Sequence, residues 1–250
     1  MEGSMRKIPM LLLVLSAAGL GGCAHTSSSD VATDALYADM AVSADGSGQT
    51  IATAALKVGG ATSNDFLDLS STDTLVATAD SSNQQTMVRE EALGAVWYQA
   101  IFALDSAGTL FQIAFNRQPN ANMSNPVSAP DSHVTLPAPF AITAPAANAQ
   151  YSRATDPVVI TYSGSGQTDP MSYVATGDCI QAVTQTLTSD AGTLTIPAGQ
   201  IVAAQGQGTT SCTVTIRIYR SRAGTIDPAY GKGGKISGTQ VRSIDILSKP

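Results

Sequence analysis

The sequence is poor in charge, and most of its charge is acidic. Only 13% of the 250 residues are Asp, Glu, Lys or Arg, and the net charge at pH 7 is −6. Proteins that bind nucleic acid neutralise its phosphates with lysine and arginine, so this balance argues against a nucleic-acid partner. Since 43% of the residues are hydrophobic, the composition also argues against a disordered chain and against a coiled coil.

Histidine and cysteine are scarce, which argues against several kinds of active site. The chain has 2 histidines, His25 and His133, and no Gly-x-Ser-x-Gly motif that would present a serine nucleophile. Its 3 cysteines form neither a zinc-ligand cluster with histidine nor a Cys-x-x-Cys redox pair. We therefore predict that the protein is not an enzyme, with no catalytic residues, no metal and no cofactor.

The apolar stretch near the N-terminus is too short to cross a bilayer as a helix. Ile8–Leu20 has 13 residues, whereas a spanning helix needs about 20. Arg6 and Lys7 precede this stretch and small residues follow it, which is the pattern of a secretory signal peptide. We predict that residues 1–22 are a signal peptide that is removed on export.

The end of this stretch, Leu20-Gly21-Gly22-Cys23, resembles the lipobox of bacterial lipoproteins. The resemblance implies that Cys23 carries a diacylglycerol, that the chain is cut before Cys23, and that the new amino group is acylated with a fatty acid such as palmitate. Such chains anchor a protein without a spanning helix, since each buried CH₂ contributes ~0.8 kcal/mol. In that family an aspartate in place of Ala24 would favour the inner membrane, so the resemblance implies the outer membrane. An ordinary signal-peptide site with a chance cysteine is the alternative.

The residues that follow Cys23 are polar, of low complexity, and include His25. Such a run cannot bury a core, so we predict that residues 23–30 form a disordered tether. From Val31 onward, short apolar alternations are separated by turn residues, which predicts an all-β chain. Prolines cluster near Pro137–Pro139, so we predict a stiff joint there.

The predicted joint divides the chain into two β-sandwich domains, residues 31–137 and 138–250. Within them, Tyr98–Leu104 and Leu110–Phe115 predict the two strands of one hairpin, because a glycine-containing loop separates their apolar faces. Met87–Val96 is the one segment that predicts a helical turn. A shift of the apolar parity in the last strand, between residues 241 and 244, predicts a β-bulge.

Two cysteines lie beyond residue 23. Cys212 shares the parity of the inward residues of its predicted strand, and export places both thiols in an oxidising compartment. We predict a disulfide between Cys179 and Cys212; two free buried thiols are the alternative. Short strands tied by one disulfide in a Gly-, Thr- and Pro-rich unit resemble bacterial immunoglobulin-like domains, and the resemblance implies two tandem sandwiches of that kind.

Three carboxylates, Asp65, Asp68 and Asp73, lie close together in the sequence. Such a cluster can bind Ca²⁺ or supply the two acids of a glycosidase. The spacing lacks the Asp-x-Asp-x-Asp-Gly pattern of calcium loops. We therefore favour solvated carboxylates at strand ends and leave Ca²⁺ binding open.

Charge is distributed unevenly between the two halves. Residues 31–137 contain 11 acids and 3 bases, whereas residues 138–250 contain 6 acids and 8 bases. Six of these bases flank one predicted hairpin: Arg217, Arg220, Arg222, Lys232, Lys235 and Arg242. They predict either a patch for an anionic partner or a solvated hairpin that resists edge-to-edge aggregation.

Together, these features favour a non-enzymatic lipoprotein of the outer membrane. It would act as a lipid-anchored scaffold or interaction module for another envelope protein or a surface glycan. The alternative is a carbohydrate-binding or adhesion module at the cell surface, although only 5% of the residues are aromatic. In that alternative four tyrosines would stack on sugar rings: Tyr151, Tyr162, Tyr219 and Tyr230.

Overall fold

The computed structural model describes residues 24–250. Residues 1–22 and Cys23 lie outside the described residues, so the signal peptide and the lipidation stay predictions. The described part consists of β-strands, connecting loops and two short 3-10 helices, Ser28–Asp30 and Thr33–Ala35. The predicted all-β fold class is confirmed.

The strands of the first half are numbered in chain order. They are β1 (Ala24–Ser27), β2 (Leu36–Ala44), β3 (Thr50–Val58), β4 (Asp65–Asp68), β5 (Thr74–Ala79), β6 (Asn83–Thr86), β7 (Val88–Ala92), β8 (Ala95–Phe102), β9 (Leu110–Asn116) and β10 (Ala129–Thr135). The strands of the second half are β11 (Ala141–Ala144), β12 (Gln150–Ser152), β13 (Val158–Ser163), β14 (Met171–Thr176), β15 (Val183–Thr186), β16 (Thr193–Ile196), β17 (Cys212–Ala223) and β18 (Gly234–Lys249).

The strands form three sheets. The long sheet has 11 strands in the order β1-β4-β3-β2-β18-β17-β14-β15, to which β7, β8 and β12 are attached. The first short sheet is β10-β9-β5-β6 and the second short sheet is β11-β13-β16.

Each short sheet covers a different part of the long sheet. One core, which includes Met40, Phe102 and Phe111, lies between the long sheet and the first short sheet. A second core, which includes Ile160 and Ile216, lies between the long sheet and the second short sheet. The fold is therefore two β-sandwiches that share one sheet.

Alternation of side chains decides which residues enter these cores. In β2 and in most of β3, every second residue is buried, beginning with Leu36 and Thr50. Successive side chains of a strand point to opposite faces, so a strand with one apolar face is specified by a period of two. The predicted strands at residues 98–104 and 110–115 follow this rule, and the structure has strands β8 and β9 in these segments.

The long hairpin of β17 and β18 runs through both sandwiches. The first part of β18 pairs in parallel with β2, from Gly234 beside Ala38 to Gln240 beside Ala44. The rest of β18 continues into the second core, and β17 pairs with it in antiparallel fashion. At about 3.3 Å per residue, β18 is roughly 50 Å long, so one strand connects the two sandwiches.

The first core contains residues from beyond the predicted joint. Tyr230 and Ile236 are buried among the side chains of the first sandwich, although both follow residue 138. The division at residues 137 and 138 stays a prediction for the chain as a whole. The segment that joins β17 to β18 packs against the first sandwich because β18 pairs with β2.

The predicted hairpin of residues 98–104 and 110–115 is wrong. Strand β8 pairs with β3 and β7 in the long sheet, whereas β9 pairs with β5 and β10 in the first short sheet. Their aromatic faces meet across the core, where the rings of Phe102 and Phe111 lie 5.2 Å apart in an edge-to-face arrangement. Two strands with apolar faces can thus pack across a core from opposite sheets or pair as neighbours in one sheet. The local sequence does not distinguish these two arrangements.

The predicted helical turn over residues 87–96 is wrong as well. Strands β7 and β8 pair as a hairpin through a tight turn at Leu93 and Gly94, whose φ angles are 50° and 78°. Positive φ at both central residues is typical of the two-residue turns that match the twist of a hairpin. The exposed residues Arg89, Glu90 and Glu91 belong to β7 and are strand residues.

The predicted bulge in the last strand is also wrong. Pairing between β17 and β18 continues without a shift from Cys212–Ser248 to Ala223–Ser237. The even-numbered residues of β18 face inward throughout, and they include the polar Gln240 and the half-buried Arg242 between the two cores. The apparent change of parity arises because polar side chains occupy the inward face where β18 leaves one core and enters the other.

Residues 24–30 differ from the predicted tether. Strand β1 pairs in parallel with β4, from Ala24 beside Asp65 to Ser27 beside Asp68. Ser28 is fully buried, and its hydroxyl accepts a hydrogen bond from the Ser70 backbone at 2.8 Å. Polar side chains of this segment contact side chains of the neighbouring strand β4. Composition alone does not predict such contacts.

Candidate functional site

The six basic residues of the predicted patch do not form one exposed surface. Arg220 is 0% exposed, so it is not available to an anionic partner. Arg222 binds the carboxylate of Asp169 through two hydrogen bonds of 2.8 Å. Arg242 is half-buried and donates to the Ala44 carbonyl at 3.3 Å. Three members of the set are exposed: Arg217, Lys232 and Lys235.

Arg220 is held in the joint between the sandwiches. Its guanidinium donates to Asp190 Oδ2 at 2.7 Å and to the carbonyls of Ala138 and Gly164 at 2.6 and 2.8 Å. The Asp190 side chain is only 2% exposed, so this is a buried ion pair. A charge taken out of water needs such partners, because an unpaired buried charge is strongly destabilising.

The ring of Phe140 lies close to two guanidinium groups. The Cζ atom of Arg220 is 5.1 Å from the ring centroid and the Cζ atom of Arg242 is 5.4 Å from it. Cations are attracted to the face of an aromatic ring at such distances. Burial lowers the pKa of Arg242, and the nearby charge of Arg220 acts in the same direction. These residues form part of the structure of the joint.

The four tyrosines of the alternative sugar platform do not share a surface. Tyr162 is buried in the second core and Tyr230 in the first. Tyr151 packs against the second core, and Tyr219 lies half-buried on β17. Because two of the four rings are inside the protein, this set cannot stack on a glycan.

Replacement of Tyr230 by phenylalanine tests how the fold tolerates a buried hydroxyl. The Tyr230 hydroxyl is buried and has no hydrogen-bond partner among residues 24–250, so we expect Tyr230→Phe to leave the stability at pH 7 unchanged or to raise it. Burial raises the pKa of Tyr230 well above its usual value. The unfolded state therefore releases the tyrosine proton more readily than the folded state, and the free energy of unfolding falls as the pH rises above about 10.

The measurement is the urea midpoint between about pH 8 and pH 11. The midpoint of Tyr230→Phe should fall less with pH than that of the wild type. Other tyrosines with raised pKa values, such as Tyr98 and Tyr173, leave part of the slope in both proteins. Identical slopes would contradict the prediction.

The three carboxylates of the predicted cluster are engaged by separate partners. Asp65 accepts a hydrogen bond of 2.8 Å from Thr26, and Asp68 pairs with Arg89. Asp73 is buried and lies 3.3 Å from the Nε atom of Arg117. Among residues 24–250, the side chains of His, Cys, Asp and Glu form no group of three or more that could hold a metal ion.

The two histidines lie on different sheets. His25 is on β1, where Nε2 lies 3.0 Å from the Gly94 carbonyl and Nδ1 lies 3.7 Å from Asp68. His133 is a half-buried residue of β10, and its Nδ1 lies 3.0 Å from the carbonyl of Asp131. His25 therefore contacts the β7–β8 turn and is not a free residue of a tether.

A buried arginine fastens the N-terminal segment to the first sandwich. Arg117 and Asp73 have side chains that are 0% exposed. The guanidinium of Arg117 donates to the Val31 carbonyl at 2.8 Å, to the Thr33 hydroxyl at 3.0 Å and to the Ser28 carbonyl. Since three of these partners precede β2, Arg117 ties the beginning of the described chain to the core.

The predicted disulfide between Cys179 and Cys212 is confirmed. The sequence did not reveal its neighbour, Arg153, which is buried and donates to Cys179 Sγ at 3.3 Å and to Ser248 Oγ at 3.2 Å. The second guanidinium nitrogen reaches the Thr210 carbonyl at 3.0 Å. Arg153 and the disulfide together hold the loop that precedes β17.

Removal of the disulfide is expected to lower the free energy of unfolding by about 3–4 kcal/mol in the chain-entropy model. The double variant Cys179→Ser, Cys212→Ser opens a loop whose ends are 33 residues apart. Urea denaturation followed by circular dichroism measures the change. Reduced wild-type protein should show the same shift, and an unchanged midpoint in both samples would contradict the prediction.

None of residues 24–250 belongs to a helix that could span a lipid bilayer.

Comparison with known proteins gives no family for this chain. Neither a known family profile nor a curated protein matches it. Among solved structures, the FN1–FN3 domains of chicken CNTN1 are similar with 8% identity and a TM-score of 0.29, over 88% of this chain and 68% of that one. CBD12 from CALX1.2 is similar with 10% identity and a TM-score of 0.23, over 82% of this chain and 98% of that one. Sequence identities and TM-scores this low give no information about a ligand or a partner of this chain.

Proposed function

We propose that the protein is a non-enzymatic lipoprotein of the cell envelope. Acyl chains on Cys23 hold it at the outer membrane, and the two sandwiches serve as a scaffold or interaction module for another envelope component. The lipobox-like sequence Leu20-Gly21-Gly22-Cys23 supplies the attachment. A signal peptide of residues 1–22 supplies the export.

The position of β1 is the observation that carries this proposal. Ala24, which follows Cys23 in the sequence, belongs to β1, and its backbone donates to the Asn64 carbonyl at 3.2 Å. The following residues are fastened by Arg117. An anchor on Cys23 would thus act directly on the long sheet, which both sandwiches share.

The direction of the strands indicates which part of the protein would lie farthest from the membrane if Cys23 were anchored there. The end of β3, where Val58 pairs with Leu36, leads into the loop that contacts Ala24. Strand β18 runs parallel to β2 from that end and continues into the second core. The second sandwich would therefore project from the membrane, with the exposed Arg217 on the surface of β17.

The variant Cys23→Ser tests the anchor. We expect the mature wild-type protein to carry the mass of a diacylglycerol and an acyl chain and to fractionate with the outer membrane. The variant lacks the thiol that accepts the lipid, so it should be absent from the lipidated membrane fraction. An unmodified sulfur on Cys23 in the mature wild-type protein would overturn the proposal.

Crosslinking in cells tests the role as an interaction module. A photo-crosslinking residue at Arg217 lies on the second sandwich, and one at Leu110, 38% exposed, serves as the control on the first. We expect a protein of the envelope to be captured reproducibly at position 217 and not at position 110. Recovery of glycan alone would replace the scaffold role by the carbohydrate-binding alternative.

A further inference from the structure

Three segments meet where the described chain begins, at one end of the long sheet. The Ala24 backbone donates to the carbonyl of Asn64, which ends the loop of residues 59–64. His25 Nε2 lies 3.0 Å from the carbonyl of Gly94, in the turn of residues 92–95. We call the surface formed by residues 24–25, 59–64 and 92–95 the Ala24 end.

The Ala24 end carries no Asp, Glu, Lys or Arg, although residues 31–137 as a whole have a net charge of −8. Lys57 donates from Nζ to the Ala61 carbonyl at 3.1 Å. Asp65 and Asp68 on β4 lie beside this surface, where Asp65 accepts from Thr26 and Asp68 is paired with Arg89. Glu91 is also paired with Arg89, and Glu90 is exposed on β7. The Ala24 end itself thus adds no negative charge that anionic lipid would repel.

Leu93 projects from the Ala24 end. Its side chain is 98% exposed, and its φ of 50° lies in the left-handed region. Two-residue turns of this kind favour Asn or Asp before Gly, because those residues tolerate positive φ. Leucine here is unfavourable for the backbone, and its apolar side chain is exposed to water and not packed in either core.

We propose that the Ala24 end is a lipid-docking surface and that Leu93 enters the interface of the membrane to which Cys23 is attached. The inference rests on the proposed function, because it needs acyl chains on Cys23. Consecutive Cα atoms are about 3.8 Å apart, so those chains leave the protein within one residue of β1. The surface nearest to them is the Ala24 end, and its one large apolar side chain is Leu93.

Fluorescence quenching by lipid tests the proposal on the processed lipoprotein. The protein is reconstituted into phosphatidylethanolamine–phosphatidylglycerol vesicles that contain phospholipid brominated on the acyl chains. Leu93→Trp is compared with Val202→Trp, both in a Trp97→Phe background. Val202 is 48% exposed and lies in the second half, between β16 and β17. We expect bromine to quench tryptophan 93 several-fold more strongly than tryptophan 202.

The outcomes separate this inference from the proposed function. If the protein floats with the vesicles but both tryptophans are quenched equally, the docking surface is wrong and the lipid anchor stands. If the mature protein carries no acyl chains by mass spectrometry, the proposed function fails and the docking surface fails with it.

Hydrogen exchange on the unsubstituted lipoprotein tests the proposal without variants, so the result does not depend on whether a variant folds. Amides of residues 92–95 should exchange more slowly in vesicles than in detergent, whereas those of residues 183–186 in β15 should exchange at equal rates. Equal rates for residues 92–95 in both media would overturn the proposal even if no variant could be made.

Discussion

Arg117→Met is expected to lower the free energy of unfolding by about 3–5 kcal/mol, the cost of leaving one member of a buried ion pair without its partner. Asp73 would be left buried without its cation, and the carbonyls of Ser28 and Val31 would lose a donor. Urea denaturation measures the loss. Limited proteolysis should also cut residues 28–33 sooner than in the wild type, because Arg117 fastens this segment.

Arg89→Met is the matched control for Arg117→Met. Arg89 also pairs with an aspartate, Asp68, but its side chain is 39% exposed. Exposed ion pairs contribute about 0–1 kcal/mol, so the control should unfold at nearly the wild-type urea concentration. Equal losses for the two variants would mean that burial does not determine the contribution of Arg117.

Arg220→Met is expected to have an effect of similar size, about 3–5 kcal/mol. It leaves Asp190 buried without its cation and removes the donor to the carbonyls of Ala138 and Gly164. Trp97 is the only tryptophan and lies in the first sandwich, on β8. Because the two sandwiches share β18, we expect the Trp97 transition to shift together with the circular dichroism transition.

Arg222→Met provides the comparison on the same strand. Its partner is Asp169, and the Arg222 side chain is 39% exposed, so its loss should be well below that of Arg220→Met. If the Trp97 transition of Arg220→Met stayed at the wild-type midpoint while circular dichroism shifted, Arg220 would stabilise the second sandwich alone.

The sequence predicts strands with one apolar face well, because the signal of such a strand is local. A period of two places residues such as Phe111, Ile113 and Phe115 on one face, and all three are fully buried. The Cys179–Cys212 pairing follows from the same parity and from the count of cysteines. These predictions need no knowledge of which strands become neighbours.

Partners that are distant in the sequence are not predicted in this way. The apolar faces of β8 and β9 suit a hairpin equally well, yet they lie in opposite sheets. Pairing of β18 with β2 joins residues near the two ends of the described chain. No local pattern of residues encodes such a choice, because it depends on the burial of the whole sheet.

The buried arginines were missed although a signal was present. Arg117 continues the odd-numbered inward series of Phe111, Ile113 and Phe115, and Arg220 continues the even-numbered series of Ile216 and Ile218. A basic residue at an inward position of such a series predicts a buried side chain that is hydrogen-bonded or ion-paired inside the protein. The number of charges along the chain does not show that Arg220 is buried. The six bases therefore predict a basic patch, whereas in the structure they do not form one surface.

The parallel pairing of β18 with β2 constrains the order in which the protein acquires its structure. A chain that emerges from its N-terminus presents β2 long before β18, and until then one side of β2 has no hydrogen-bonding neighbour. Open strand edges promote association between chains. The first half therefore keeps an open strand edge, at which copies of the chain can associate, until the final strand arrives.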